Sequence, residues 1–193
     1  MTLGQVKEAT CSPTPCAEKF LQYINDTCDK FQINTAVRQL CFLAQVGHES
    51  GGLFFTEELA SGEAYEGRAD LGNTIAGDGV KYKGRGLIQI TGRANYKAVG
   101  DALGSDFINN PTLLGGKNIK FCSPDQLRFS AMSAGWFWNT RKLNDFADKI
   151  DIKSPVEEGA NLQSFISMTK KINGGTNGLA DRINRYKIGS KYF

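Results

Sequence analysis

From Phe54 to Lys83 the chain has no apolar periodicity, and glycines at 62, 67, 72, 77 and 79 punctuate the stretch. A non-repetitive segment of that length is uncommon inside a compact domain, and where it occurs it is usually functional or disordered. It is bracketed by sequence that must be helical. Upstream, a helix starting near Asn34-Thr35 carries Val37, Leu40, Cys41 and Ala44 in register, with Phe42, Leu43 and Val46 widening the stripe until the helix is mostly buried. Gly51-Gly52 stops it and leaves Glu49 on its last turn. Downstream, periodicity returns after Gly92 with Tyr96, Val99 and Leu103. The fold must therefore support one long irregular excursion on a helical frame.

The rest of the chain supplies that frame. Thr14 and Pro15 open a helix whose face is Ala17, Phe20, Leu21, Ile24 and Cys28. Ser123-Pro124-Asp125-Gln126 is a capping box with proline at the first helical position, followed by Leu127, Ala131, Ala134 and Trp138. Leu162, Phe165, Ile166, Thr169 and Ile172 predict a further face, closed by Asn173-Gly174-Gly175, and a short last helix holds Leu179, Ile183 and Tyr186. The sequence shows no repeat, low-complexity tract or linker. The 193 residues read as a single domain over 1–193, with the helices of 1–33 packed on it.

A formal charge of +3 is too small for nucleic-acid binding, so no nucleic acid is expected. No apolar run is long enough for membrane insertion, and Met1–Thr10 lacks the apolar core of a secretory signal. The five cysteines form no CxxC pair and there is one histidine, which argues against a zinc site; no metal and no cofactor are expected. Cys28 and Cys41 lie on apolar faces and read as buried thiols, whereas Cys11 and Cys16 flank a turn and are placed to bridge in an oxidising compartment.

The groups with chemistry gather from His48 to Tyr96. A carboxylate at a helix C-terminus faces the negative end of the helix dipole, and burial beside Phe42 or Val46 adds desolvation. Both favour a protonated Glu49, the state a general acid needs. The two glycines after it permit close approach of a ligand to the backbone. A second carboxylate for two-carboxylate hydrolysis has four candidates, Glu57, Glu58, Glu63 and Glu66. Glu57 and Glu58 are adjacent, so in extended chain only one of them faces a site. Gly84-Arg85-Gly86 lacks the spacing of a phosphate loop and reads as a tight turn with a structural arginine. His48 reads as a hydrogen-bonded structural group, and one of Trp136 and Trp138 as core.

These residues carry a resemblance. Phe42-Leu43-Ala44-Gln45-Val46-Gly47-His48-Glu49-Ser50-Gly51-Gly52, Gly77-Asp78-Gly79, Gly84 through Tyr96, Ala134-Gly135-Trp136-Phe137-Trp138, Ile172-Asn173-Gly174-Gly175 and Leu179 through Ile183 stand in order. Over about residues 30 to 190 the chain resembles the family 19 glycoside hydrolases, the chitinase-like branch of the lysozyme superfamily, and within them the short lysins of bacteriophages. The resemblance implies a mainly α, lysozyme-like two-lobed fold with a cleft and at most a small β element within 54–91. It implies Glu49 as general acid and, nine positions on, Glu58 as general base, with Glu57 still in play. Thr91 would hold the nucleophilic water with the base, Gln89, Asn95 and Asn173 would line sugar subsites, and Arg182 would organise the carboxylates. Plant members carry a glutamate after Asn-Gly-Gly, where this chain has Thr176-Asn177, so the network around Arg182 must differ.

The expected function is an endolysin, a monomer hydrolysing β-1,4 links of peptidoglycan glycan strands with inversion. For that outcome the two carboxyls should stand about 6.5–9.5 Å apart. The phage-lysin likeness also implies accumulation in the host cytoplasm until the membrane is permeabilised, then action on the wall in the periplasm. Three rivals accompany it: a chitinase acting on poly-N-acetylglucosamine, a peptidase or amidase using Cys41 and His48, and a non-catalytic wall-binding module.

Overall fold

The computed structural model describes all residues, 1–193. Nine α-helices and several single 3₁₀ turns carry the chain. They are α1 (Leu3–Thr10), α2 (Thr14–Lys30), α3 (Ala36–Glu49), α4 (Asp78–Lys81), α5 (Arg93–Leu103), α6 (Pro124–Thr140), α7 (Asn144–Ala147), α8 (Gly159–Asn173) and α9 (Leu179–Gly189). No strand forms. The small β element allowed within 54–91 comes down to two isolated bridges, Glu57 with Arg85 and Arg85 with Ile90.

Local chemistry explains most helix boundaries. Thr35 accepts from the Arg38 N–H to start α3, and Ser123 and Gln126 form the reciprocal capping box of α6. A second box, Thr2 with Gln5, starts α1 in the polar N-terminal stretch where apolar periodicity is weakest. Pro13 precedes α2, so Thr14 occupies the first helical position and Pro15 the second.

One contiguous cluster of buried apolar side chains runs from Val6 in α1 to Tyr186 in α9. Helices α1, α3 and α9 pack on one another, α2 packs on α6, and α7 on α8. The contact of α1 with α3 is close enough that a Cβ on Gly47 would stand 2.7 Å from the Thr10 Cα. The irregular segment 50–92 lies against this frame through α5 and α6. Leu87 N–H donates to Ser130 O of α6 at 3.1 Å, and a Cβ on Gly86 (φ +84°) would reach the Ser133 hydroxyl at 2.5 Å.

The α8 face differs from the one the apolar residues predict. Phe165 and Thr169 are buried as expected, but Asn161, Ser164 and Met168 share the inner face, while Leu162, Ile166 and Ile172 are half-buried. The reason is polar. The Asn161 amide closes the loop before α8, exchanging hydrogen bonds with Asp151 and donating to Ser154 O and Pro155 O. No helix is long and apolar enough to cross a membrane. All five cysteines are free thiols, so Cys11 and Cys16 form no bridge, and Cys28 and Cys41 are buried.

Candidate active site

Glu49 is the last residue of α3, with its side chain 19% exposed, and it is bonded to the Arg182 guanidinium through Oε1. It is therefore not the isolated helix-end carboxyl that its position suggests. Arg182 is buried in α9 and divides its donors: Nη2 to Glu49, Nη1 to Gln45 Oε1 at 2.5 Å, and Nε to Asn177 O at 3.4 Å. Gln45 is one helical turn before Glu49, and its Nε2 donates to Thr169 Oγ1 on α8 at 3.1 Å. Three helices thus hold one carboxyl. Glu49 Oε2 accepts no hydrogen bond from the protein.

The Gly51-Gly52 pair lets the chain pack closely on itself. Both glycines have positive φ, and a Cβ on Gly52 would meet the Cys11 carbonyl oxygen at 2.9 Å, where the end of α1 crosses. His48 has the structural role read from its position. Its Nδ1 lies 2.7 Å from Asp181 Oδ2, and a Cβ on Gly178 would overlap its ring. Burial opposes ionisation of Asp181, yet hydrogen bonds from Arg185 and His48 outweigh it and hold the carboxyl below its usual range.

The four carboxylates after Gly52 separate cleanly. Residues 56–58 run alongside 84–86, with Glu58 N–H donating to Gly84 O at 2.9 Å and Gly86 N–H to Thr56 O at 3.0 Å. In this extended pairing the two adjacent glutamates face opposite ways. Glu57 turns inward and is buried between Arg85 Nε at 2.9 Å and Lys83 Nζ at 3.1 Å. Burial works against its charge, but the two cations prevail and lower its pKa. Glu66 accepts from the N–H groups of Gly77, Gly79 and Val80 at the start of α4, and Glu63 is exposed.

Glu58 is half-buried and its carboxylate forms no ion pair, although the Lys83 ammonium donates to its backbone carbonyl at 3.0 Å. Its Oε1 accepts from the Tyr65 hydroxyl at 3.0 Å and its Oε2 from the Gly84 N–H at 3.1 Å. Burial and the adjacent Glu58 carboxylate push the Tyr65 phenol up, so it remains a donor. A Cβ on Gly84 would stand 2.7 Å from Gln89 Oε1 and 3.2 Å from Glu58 Oε2, so the glycine lets both groups close on one point. Gln89 itself has φ +56°, a left-handed conformation that costs about 1–3 kcal/mol for a non-glycine residue and clusters at functional sites. In the Gly84-Arg85-Gly86 turn, Arg85 is buried on Glu57, Tyr96 and the Lys81 carbonyl.

Gln89, Thr91 and Asn95 line one cavity of 130 Å³, together with Trp136, Phe137 and Arg141. Thr91 Oγ1 donates to Gln89 O at 3.0 Å, and Asn95 Nδ2 to Thr91 O at 2.7 Å, so the three are locked to one another. Asn173 lies outside this group. Its amide donates to Asn177 O at 2.8 Å and accepts from the Gly175 N–H, bracing the loop that also meets Arg182. The largest cavity, 650 Å³, lies along the other side of α5 from Asn95, where Lys97 pairs with Asp101 and Arg93 is engaged by Asp78. It is separate from this chemistry.

The family model for glycoside hydrolase family 19, described as chitinase class I, matches residues 32–180. The chain belongs to the family 19 glycoside hydrolases. The hydrolase is 30% identical over 197 residues to a glycosyl hydrolase family 19 domain-containing protein of Haemophilus influenzae, with 86% of this chain and 85% of that one covered. It is 32% identical over 142 residues to an acidic 27 kDa endochitinase of Solanum lycopersicum, covering 69% of this chain and 51% of the relative. The hydrolase spans about half the length of the plant endochitinases it matches. Chitinase C from Streptomyces griseus HUT6037 superposes with a TM-score of 0.64 at 25% identity, covering 98% of this chain and 75% of that one. A bacterial family 19 chitinase superposes at 0.58 and 24% identity, with 98% and 93% covered, which shows the lysozyme-like helical fold.

Tyr65, Gln45 and Arg141 are the site neighbours of the hydrolase that sequence reasoning left without a role. Gln45 had a legible signal, a polar residue inside an otherwise apolar helix at i−4 from Glu49. Tyr65 and Arg141 had none, because their importance lies in what a distant segment brings to them.

Proposed function

We propose that the hydrolase cleaves β-1,4 links in the glycan strands of bacterial peptidoglycan, with inversion at the anomeric carbon. The observation that carries the two-carboxylate chemistry is the state of Glu58: among the four candidate glutamates after Gly52, it alone is half-buried with a carboxylate held only by neutral donors, the Lys83 ammonium reaching just its backbone carbonyl. A carboxylate in that setting keeps lone pairs for a water and remains a base. Glu49 supplies the acid. With Oε1 fixed by Arg182, its Oε2 is the oxygen that carries the proton to the leaving glycosidic oxygen, while Glu58 takes a proton from the attacking water on the other face of the sugar. Thr91 holds that water with Glu58, Gln89 and Asn95 contact the sugar beside it, and Asn173 supports the far subsite through its loop.

Chitin is the second reading, favoured by the names of the plant and Streptomyces relatives. Both polymers present N-acetylated β-1,4 sugars, and they differ in the lactyl ether and peptide of muramic acid. The delivery route expected of a lysin, cytoplasmic storage and then access to the wall as a monomer once the membrane is breached, belongs to the peptidoglycan reading.

Purified sacculi and chitin oligosaccharides digested in parallel test it. Mass spectrometry should reveal new reducing ends on muropeptides, and proton NMR should find the α anomer first. Glu49→Gln and Glu58→Gln should fold normally and each lose roughly 10²–10⁴-fold in turnover. New free amines, an initial β anomer, or more than a tenth of wild-type turnover in either variant would sink the assignment.

A further inference from the structure

Seven of the chain's eight arginines bond a carboxylate: Arg38, Arg68, Arg85, Arg93, Arg128, Arg182 and Arg185 each have an Asp or Glu partner. Arg141 has none. Its guanidinium makes no ion pair, and it lies flat enough on Phe137 that Cζ is 3.5 Å from the ring centroid. It is half-buried at the C-terminal cap of α6 and lines the same 130 Å³ cavity as Gln89, Thr91, Asn95 and Trp136. Burial lowers its pKa, the signature of a cation that has given up water without gaining an anion.

A desolvated guanidinium without a partner is costly, and elsewhere in this protein the cost is offset by an acid. Here the guanidinium belongs to the lining of a cavity that neighbours the candidate base, since Gln89 in its wall and Glu58 both flank Gly84. Stacking on Phe137 fixes the plane of the fork and pre-sets it for two parallel hydrogen bonds to a carboxylate. Trp136 adds an apolar surface on which a ring or its acetyl group can rest.

We propose that Arg141 is a specificity-determining residue that binds a carboxylate carried by the glycan substrate. The proposal rests on the glycan-hydrolase reading above and deepens it. Chitin has no carboxylate, whereas peptidoglycan has one on each muramic acid, as the free lactyl group of a strand stripped of peptide or as the acids of the stem. Arg141 therefore favours an acidic glycan over a neutral one of equal length.

The test compares wild type, Arg141→Gln and Arg141→Lys on two probes: amidase-stripped glycan strands with free lactyl carboxylates, and the neutral hexasaccharide of N-acetylglucosamine. Turnover is followed by reducing ends. Affinity is measured by calorimetry in a Glu49→Gln background, where cleavage does not interfere, at low and high salt. Arg141→Gln should weaken binding and raise KM for the acidic strand about tenfold more than for the neutral hexasaccharide, with kcat changed far less. Arg141→Lys should recover part of the difference, and high salt should shrink the wild-type preference as it screens the contact. Equal losses on both probes, or none on either, would overturn the proposal and leave Arg141 as a helix cap stacked on Phe137. An Arg141-dependent, salt-sensitive preference without turnover of the acidic strand would uphold Arg141 and refute the peptidoglycan activity instead.

Discussion

Two glutamates one bond apart in sequence have opposite fates. Glu57 is ion-paired in the interior and Glu58 is held at the surface by a phenol and a peptide N–H, so substitution should separate stability from catalysis. Glu57→Gln leaves Arg85 and Lys83 buried without their anion, and removing one partner of such a pair costs about 3–5 kcal/mol. The expected result is a large fall in melting temperature, with the folded fraction still turning over substrate. Glu58→Gln should do the reverse. Cys41 makes the same point about the peptidase rival. The thiol is fully buried and burial pushes its pKa far up, away from thiolate chemistry at neutral pH. Cys41→Ala should retain specific activity per folded molecule and lose about 1 kcal/mol for the emptied volume. Loss of activity with unchanged melting would restore that rival.

At the scale of elements, the site depends on how closely three helices approach. Gly47 lets α1 lie on α3, and Gly47→Ala places a methyl against backbone that cannot yield as a side chain would. A destabilisation of about 1–3 kcal/mol is expected, visible in denaturant melts. The bond from α3 to α8 and α9 is polar. Gln45→Leu keeps the helix but strands one buried Arg182 donor and removes the amide that donates to the Thr169 hydroxyl. About 1–3 kcal/mol of stability should go with it. Activity should fall as well, because Arg182 then has one fewer contact to hold it against Glu49. Unchanged kcat in a folded Gln45→Leu protein would show that Arg182 needs no such support.

The whole molecule should be acid-labile for a stated reason. Burial opposes the charge of Glu57 and Asp181, but their cations hold both below the usual range. Hydrogen bonds from Arg93 and Arg38 do the same for Asp78 and Asp148. A carboxylate whose folded pKa is depressed contributes stability that is fully present above its unfolded value, about 3.9–4.3, and is lost as pH falls through the folded value. Melting temperature should therefore be flat in these groups from pH 7 to about pH 5 and then fall steeply. A plateau that continues below pH 3 would contradict these ion pairs.

Much of this was written in one dimension. Caps at Thr35 and Ser123, the apolar stripe of α3 and the stop at Gly51 are local or periodic signals, so the helical frame and the position of Glu49 at a helix end follow from sequence alone. The motif order carried the family. What sequence could not decide was every outcome set by a partner far along the chain. Glu57 and Glu58 are equivalent as text, and the pairing of 56–58 with 84–86 makes one a buried ion and the other an accessible base. The inner face of α8 took in Asn161 because its amide meets hydrogen-bonding groups across the preceding loop. Arg141 stacks on Phe137 one turn back in its own helix, a local contact, but only tertiary packing sets it in one cavity with Gln89 and provides no acid. Local signals select the elements because they act within a few residues; charge compensation is decided in space, where residues a hundred positions apart share one low-dielectric pocket.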